Sequence, residues 1–225
     1  MKLIYLDTET TGLKIGRMFQ LAYILLEKGK ATGKNFFFAL PPGSMTFEAL
    51  YNHGVSDQQT VKLSKGKKFA DHWDEIRSDF EGTPERKTHL IAHNMKFDSG
   101  FIENEIKLAG LLPLKNVVKN CTVEYFTPIL QIPSHRKAHK YKYPSLRELV
   151  QTYKITDREA TQRASEIFKC KSKLVKFHDA RYDVTMLFLC CRQYAGDGRI
   201  LQKAIRNSII KVIEQETERE NGKDL

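Results

Sequence analysis

What most constrains this chain is the order of its segments: three strand-like runs come first, and helical and strand-like pieces then alternate. Met1 to Leu6 is an apolar run followed by a polar stretch broken at Gly12, the pattern of a buried strand that ends in a turn. Residues 18–27 (MFQLAYILLE) and 35–40 (NFFFAL), joined by KGKATGK, read as a hairpin of two further strands. Short helical pieces are expected near 46–52 and 57–63. A helix over about 68–80 follows from the spacing of Phe69, Trp73, Ile76 and Phe80. His89 to Ala92 is a short strand, after which Asn94 can cap a helix running through Phe97, Phe101, Ile102 and Ile106 to Gly110. A fifth strand is expected at 116–121 and helices near 121–130, 145–153, 180–195 and 199–218. This order implies an α/β class, a mixed five-stranded sheet flanked by helices.

At 225 residues and 41% hydrophobic content, the chain suits one core. That domain is placed at 1–196, with 197–225 as a C-terminal helix and frayed tail packed on it. Lys and Arg number 37 against 27 acids, and the net charge of +10 favours a polyanionic partner, nucleic acid or an anionic surface. No run approaches ~18 apolar residues and no signal core opens the chain, which argues against a membrane protein and for a soluble, cytoplasmic one. Cys121, Cys170, Cys190 and Cys191 lack paired zinc-site spacing and read as reduced thiols, Cys190 and Cys191 in the core.

Asp7 and Glu9, two residues apart at a strand end, leave the same face and can share one hard divalent cation, although such a pair is also an ordinary solvated cap. Asp98 sits in the first turns of the helix after LIAHN, near the same sheet edge, where the helix dipole alone would favour an acid. His178 and Asp183 are five residues apart. They can act together only if His178 lies in the loop before the helix, with Asp179 as N-cap.

Taken together, Asp7-Thr8-Glu9-Thr10-Thr11-Gly12, His93-Asn94 with Phe97-Asp98, and His178-x-Ala180-x-x-Asp183 resemble the three motifs of the DEDDh, or DnaQ-like, family of 3′-to-5′ exonucleases. The match runs from residue 2 to about 194, with lesser signals in His53-Gly54-Val55-Ser56, Cys121-Thr122 and the segment from Pro144 to Leu149. The resemblance implies a ribonuclease H-like fold in which Asp7, Glu9, Asp98 and Asp183 hold two Mg²⁺ or Mn²⁺ ions. Four gathered carboxylates require such neutralisation. His178 is then the general base, with an ordinary pKa near 6.5, and the product is a 5′-mononucleotide.

By the same resemblance, Thr8, Thr10 and Leu13 line the terminal-nucleotide pocket, with His53 near its base and His93 and Asn94 close by. Leu13 also reads as core packing beneath the turn, and Thr10 and Thr11 as plain turn residues. The Asp98 to His178 interval is longer than is common in the family. It contains PSHRKAHKYKYP, where His135, Arg136, Lys137, Lys140 and Lys142 interleave with Tyr141 and Tyr143 as phosphate and stacking contacts or as a solvated basic loop. The expected partner is single-stranded nucleic acid, DNA favoured over RNA. The alternatives are an RNase T-like exoribonuclease and a non-catalytic binding module. The absence of a long C-terminal linker favours a free-standing enzyme, and the resemblance leaves a homodimer or association with replication or repair proteins open.

Overall fold

The computed structural model describes residues 2–134, 141–175 and 178–196. The helix expected at 199–218, the tail, and the basic residues at 135–140 lie outside the described residues. The strands are β1 (Lys2–Thr10), β2 (Met18–Glu27), β3 (Lys30–Phe37), β4 (Thr88–Ala92) and β5 (Val117–Cys121). They form one five-stranded sheet in the order β3-β2-β1-β4-β5. The β1–β2 and β2–β3 ladders are antiparallel, and the β1–β4 and β4–β5 ladders are parallel. The mixed α/β architecture read from the segment order is therefore present.

Two strand boundaries differ from the sequence reading, both for reasons of pairing. β1 does not stop at Leu6: it stays paired with β2 as far as Thr10, through Asp7–Ala22 and Glu9–Gln20, with an irregularity between Glu9 and Thr10. The ladder supplies backbone partners that hold a polar segment extended. The linker KGKATGK is mostly strand as well, because Lys28 and Gly29 both take left-handed backbone conformations and close a two-residue turn.

The helices are α1 (Phe47–His53), α2 (Asp57–Ser64), α3 (Trp73–Phe80), α4 (Met95–Leu108), α5 (Thr122–Leu130), α6 (Leu146–Thr152), α7 (Asp157–Phe168) and α8 (Ala180–Gly196). The helix expected over 68–80 is split into a 3₁₀ turn at Phe69–His72 and α3, yet Phe69, Trp73, Ile76 and Phe80 all point into the core as their spacing predicted. α7 had no counterpart in the sequence reading. It buries only Ala160, Ala164 and Ile167, a narrow stripe on an otherwise polar helix, and its Thr156 N-cap accepts from the Glu159 backbone. α7 fits because Gly33 has no side chain: a Cβ there would meet Phe168 and Ile167 atoms at 2.7–2.8 Å.

The two faces of the sheet bury separate cores. On one, Leu3, Tyr5, Ala22 and Ile24 pack with α6, α7 and α8; on the other, Ile4, Leu6, Leu21 and Tyr23 pack with α3 and α4. Cys190 and Cys191 are free thiols buried in the first core. Among the described residues, no helix is long and apolar enough to cross a membrane.

Candidate active site

β1 is the central strand and pairs with β4 only over Lys2–Tyr5, so its last residues run on past the carboxyl end of the parallel ladder. Its side chains alternate between the two cores. Asp7 and Glu9 continue the face of Leu3 and Tyr5, against which α8 packs, and Thr8 continues the face of Ile4 and Leu6, against which α4 packs. α8 brings Asp183 to the first face, where carboxylate oxygens of Asp7, Glu9 and Asp183 all lie within 4.8 Å of one another. α4 brings Asp98, 3% exposed, whose Oδ1 accepts a 2.8 Å hydrogen bond from the Thr8 hydroxyl.

Burial raises the Asp7 carboxyl well above the ordinary range, and the charges of Asp98, Asp183, Glu9 and Asp179 push it the same way. Glu9 is likewise raised by burial, then by Asp183, Asp179 and Asp98. Burial pushes Asp98 up to about 7 against the opposing hydrogen bonds from Thr8 and the backbone. Burial, then Asp179, pushes Asp183 up to about 7, with the His178 backbone amide pulling it back. Four acids that cannot all ionise together form a site that calls for compensating positive charge. An all-oxygen donor set suits a hard divalent cation such as Mg²⁺ or Mn²⁺.

Two expectations follow. Asp98 and Asp183 bind protons more tightly in the folded chain than unfolded, so that contribution to stability is complete below about pH 4 and is lost as pH rises through about 7. Melting temperature in chelator should fall from pH 5 to pH 8, and Mg²⁺ should raise it more at pH 8 than at pH 5, as calorimetry would show. Thr8→Val removes the hydroxyl that holds Asp98 toward its ionised form. Mn²⁺ affinity at pH 7 should drop about tenfold and recover in part at pH 8.5, measured by isothermal titration.

His178 lies where its spacing from Asp183 required, in the turn before α8, exposed and with a left-handed φ of 60°. Burial lowers its pKa below the ordinary histidine value. Asp179 caps α8, its Oδ1 accepting from the Arg181 backbone at 3.0 Å, as the sequence suggested.

The remaining residues named from the sequence fall around this cluster. Thr10 is buried and its hydroxyl donates to the Gly12 carbonyl at 3.0 Å. Leu13 is 90% exposed, so the core-packing reading for it does not hold; the 11–17 turn carries it outward. His53 is 7% exposed and packs against Phe19 with its ring tilted, centroids 4.6 Å apart, and its Nδ1 accepts from the Val55 backbone. That bond leaves the proton on Nε2, which is buried and, among the described residues, has no well-aligned hydrogen bond, the Thr10 carbonyl being its polar neighbour. Burial lowers the His53 pKa to about 4, opposed by the nearby Thr10 carbonyl and reinforced by His178. His93 bridges two segments: Nε2 donates to the Pro144 carbonyl at 3.0 Å and Nδ1 lies 3.1 Å from the Thr122 hydroxyl. Asn94 holds the N-cap position of α4 through a left-handed backbone at φ 82°, and its side chain does not make the capping bond expected of it. Left-handed geometry is one that asparagine tolerates well.

Two supports escaped the sequence reading. Gln20, 2% exposed and opposite Glu9, donates to Asn35 at 2.8 Å and to Asp179 at 3.1 Å, and thereby ties β2 to the turn that carries His178. Its signal was a lone amide inside the apolar run MFQLAYILL. Arg17 forms a forked pair with buried Glu105 at 2.8 and 3.0 Å, and Asn104 donates to the Gly16 carbonyl at 2.7 Å, fastening the 11–17 turn to α4. A cleft of about 400 Å³ beside Asp183 is lined by Arg147, Val150, Tyr182 and Met186.

The sheet order, with an acidic cluster on the part of its central strand that runs past the parallel ladder, defines an α/β protein of ribonuclease H-like fold. The chain belongs to the exonuclease family, whose model matches residues 4–189. It is 31% identical over 166 residues to the DNA polymerase III epsilon subunit of Salmonella typhimurium, covering 70% of this chain and 63% of that one. It is 34% identical over 116 residues to the epsilon subunit of Rickettsia conorii, covering 50% and 47%. The chain thus spans about half to just under two thirds of these relatives. Among solved structures, Escherichia coli exonuclease I in complex with a dA16 oligonucleotide aligns with 92% of this chain and 42% of that one, at TM-score 0.61 and 16% identity. Exonuclease X in complex with 5′ overhanging duplex DNA aligns with 92% and 99%, at TM-score 0.55 and 18% identity.

Proposed function

We propose that this chain is a 3′-to-5′ exonuclease that releases 5′-mononucleotides from single-stranded or frayed 3′ ends, with DNA preferred over RNA. The observation that carries this reading is the gathering of Asp7, Glu9 and Asp183, with Asp98 beside them and His178 at the rim. Asp7, Glu9, Asp98 and Asp183 would hold divalent ions, which when bound supply charge stabilisation for the attacking water and the leaving oxygen. His178, mostly unprotonated at neutral pH, takes a proton from the water at a ring nitrogen. The water oxygen bonds to phosphorus as the bond to the 3′ oxygen breaks, leaving a 5′-phosphate on the released nucleotide and a 3′-hydroxyl on the strand.

Action at an end is supported by the anchoring of the turn that follows Glu9 and Thr10 in the chain. The Thr46 amide that begins α1 bonds the Thr11 carbonyl at 3.0 Å, and the 11–17 turn is fastened to α4. The His53 Nε2–H, buried beside the Thr10 carbonyl and without a well-aligned hydrogen bond among the described residues, is a donor that could turn to the terminal nucleotide. The preference for DNA draws on the epsilon relatives, subunits of a DNA polymerase, and on solved neighbours bound to DNA oligonucleotides. Retention of all five motif residues favours an enzyme over a binding module.

Competition between DNA and RNA strands of one sequence, followed by chromatography of the products, tests this reading. Faster loss of DNA with 5′-mononucleotides as the first products is expected. Faster loss of RNA would reassign the substrate, and short oligonucleotides among the first products would contradict end-directed cleavage.

A further inference from the structure

α1 carries a feature that the catalytic cluster does not use. Ala49 and His53 face the core, while Phe47 and Tyr51, one turn apart, stand on the opposite side at 79% and 82% exposure. Solvent-facing helix positions are ordinarily polar, so two large exposed rings one turn apart on the same face form a surface with something to cover. The helix is fixed at both ends to the candidate active site. Its N-cap Thr46 bonds Thr11 and fills the space that a side chain at Gly12 would need, and its last residue, His53, lies against Phe19 and beside Thr10 and His178. Leu13, 90% exposed, stands in the turn that the Thr46 backbone bonds, so exposed apolar side chains occur both on that turn and on α1.

We propose that Phe47 and Tyr51 form a stacking platform for the unpaired bases that precede the terminal nucleotide; this rests on the exonuclease reading above. Aromatic faces bind bases of any identity, as a sequence-indifferent exonuclease requires. The geometry also selects the state of the strand. Residues four apart on a helix are separated by about 6 Å along its axis, more than the roughly 3.4 Å repeat of a stacked duplex strand. A strand that sets two adjacent bases on the two rings is therefore unstacked and extended, which a base-paired end cannot be. Attraction of the phosphates is left to the general positive charge of the chain, +10 overall, and to the exposed Lys14 of the adjoining turn.

The test uses the full chain with Phe47→Ala, Tyr51→Ala, the double variant and Tyr51→Phe. Two substrates separate the platform from the chemistry: the p-nitrophenyl ester of thymidine 5′-monophosphate, which reaches only the terminal site, and fluorescein-labelled dT12, which reaches both. Ester hydrolysis in all variants should stay within about twofold of wild type. Each alanine should weaken dT12 affinity, read by anisotropy in Ca²⁺, roughly 5- to 100-fold, with a matching rise in KM and little change in kcat. Tyr51→Phe should behave as wild type. Wild-type dT12 affinity in the double variant, with ester hydrolysis intact, would overturn the platform and leave the two rings to a protein partner. Failure of the wild-type chain to hydrolyse either substrate would instead remove the catalytic reading beneath it.

Discussion

Asp7→Ala should lower the rate of 3′-end hydrolysis by at least about 10³-fold and, in chelator at pH 8, leave the chain more heat-stable than wild type. The loss follows from position: Asp7 lies on the central strand with a carboxylate oxygen within 4.8 Å of those of Glu9 and Asp183, and the charge of Asp98 also presses on it. Removing it takes one of the four donors from a site whose proposed task is to hold divalent ions. The gain follows from the same crowding, because burial and four neighbouring acids oppose ionisation of Asp7 in the folded chain and not in the unfolded one. Single-turnover digestion of a labelled strand and melting curves with and without Mg²⁺ measure both. A residue that only supports the fold would lose stability along with activity, so opposite signs separate a catalytic role from a structural one.

His178→Ala should cost about 10²- to 10⁴-fold in kcat while Mn²⁺ binding stays near wild type. His178 contributes a backbone amide to Asp183, which the substitution keeps, and an exposed imidazole, which it removes. Because burial lowers its pKa, the acid limb of the wild-type rate profile at saturating Mg²⁺ should lie below the ordinary histidine value of about 6.5. Activity should rise as pH climbs through that limb, where the imidazole gives up its proton, and the limb should be missing from the variant. Rate profiles from pH 5 to pH 9, with Mn²⁺ titrations on the same preparations, make the comparison. An unchanged limb in His178→Ala would assign the titration to another group.

Much of this arrangement was legible in the sequence because it rests on local rules. Alternation along an extended strand puts Asp7 and Glu9 on one side, and five-residue spacing forces His178 off the helix that carries Asp183. What was not legible depends on partners distant in the chain. β1 reaches Thr10 only because β2 offers it a ladder, so Asp7 and Glu9 sit within the strand and not at its end. α7 was hidden because three small or medium apolar residues on a polar helix give little periodic signal, and its place depends on Gly33 across the sheet. Gln20 holds the His178 turn from 159 positions away along the chain, through Asp179. Asn94 shows the opposite case: its residue type marked the helix start correctly, but the backbone conformation does the work assigned to the side chain. Leu13 was undecided between core and pocket because an apolar residue in a turn reads either way until its exposure is known.

The carboxylate cluster is proposed to remove nucleotides from a 3′ end with the help of divalent ions. Digestion of a 5′-labelled single-stranded DNA, sampled over time with Mg²⁺ and with EDTA, tests it most directly. The expected result is a ladder that shortens one nucleotide at a time from the 3′ end with Mg²⁺ and an intact strand with EDTA. An intact strand under both conditions, or the same cleavage in EDTA, would contradict it.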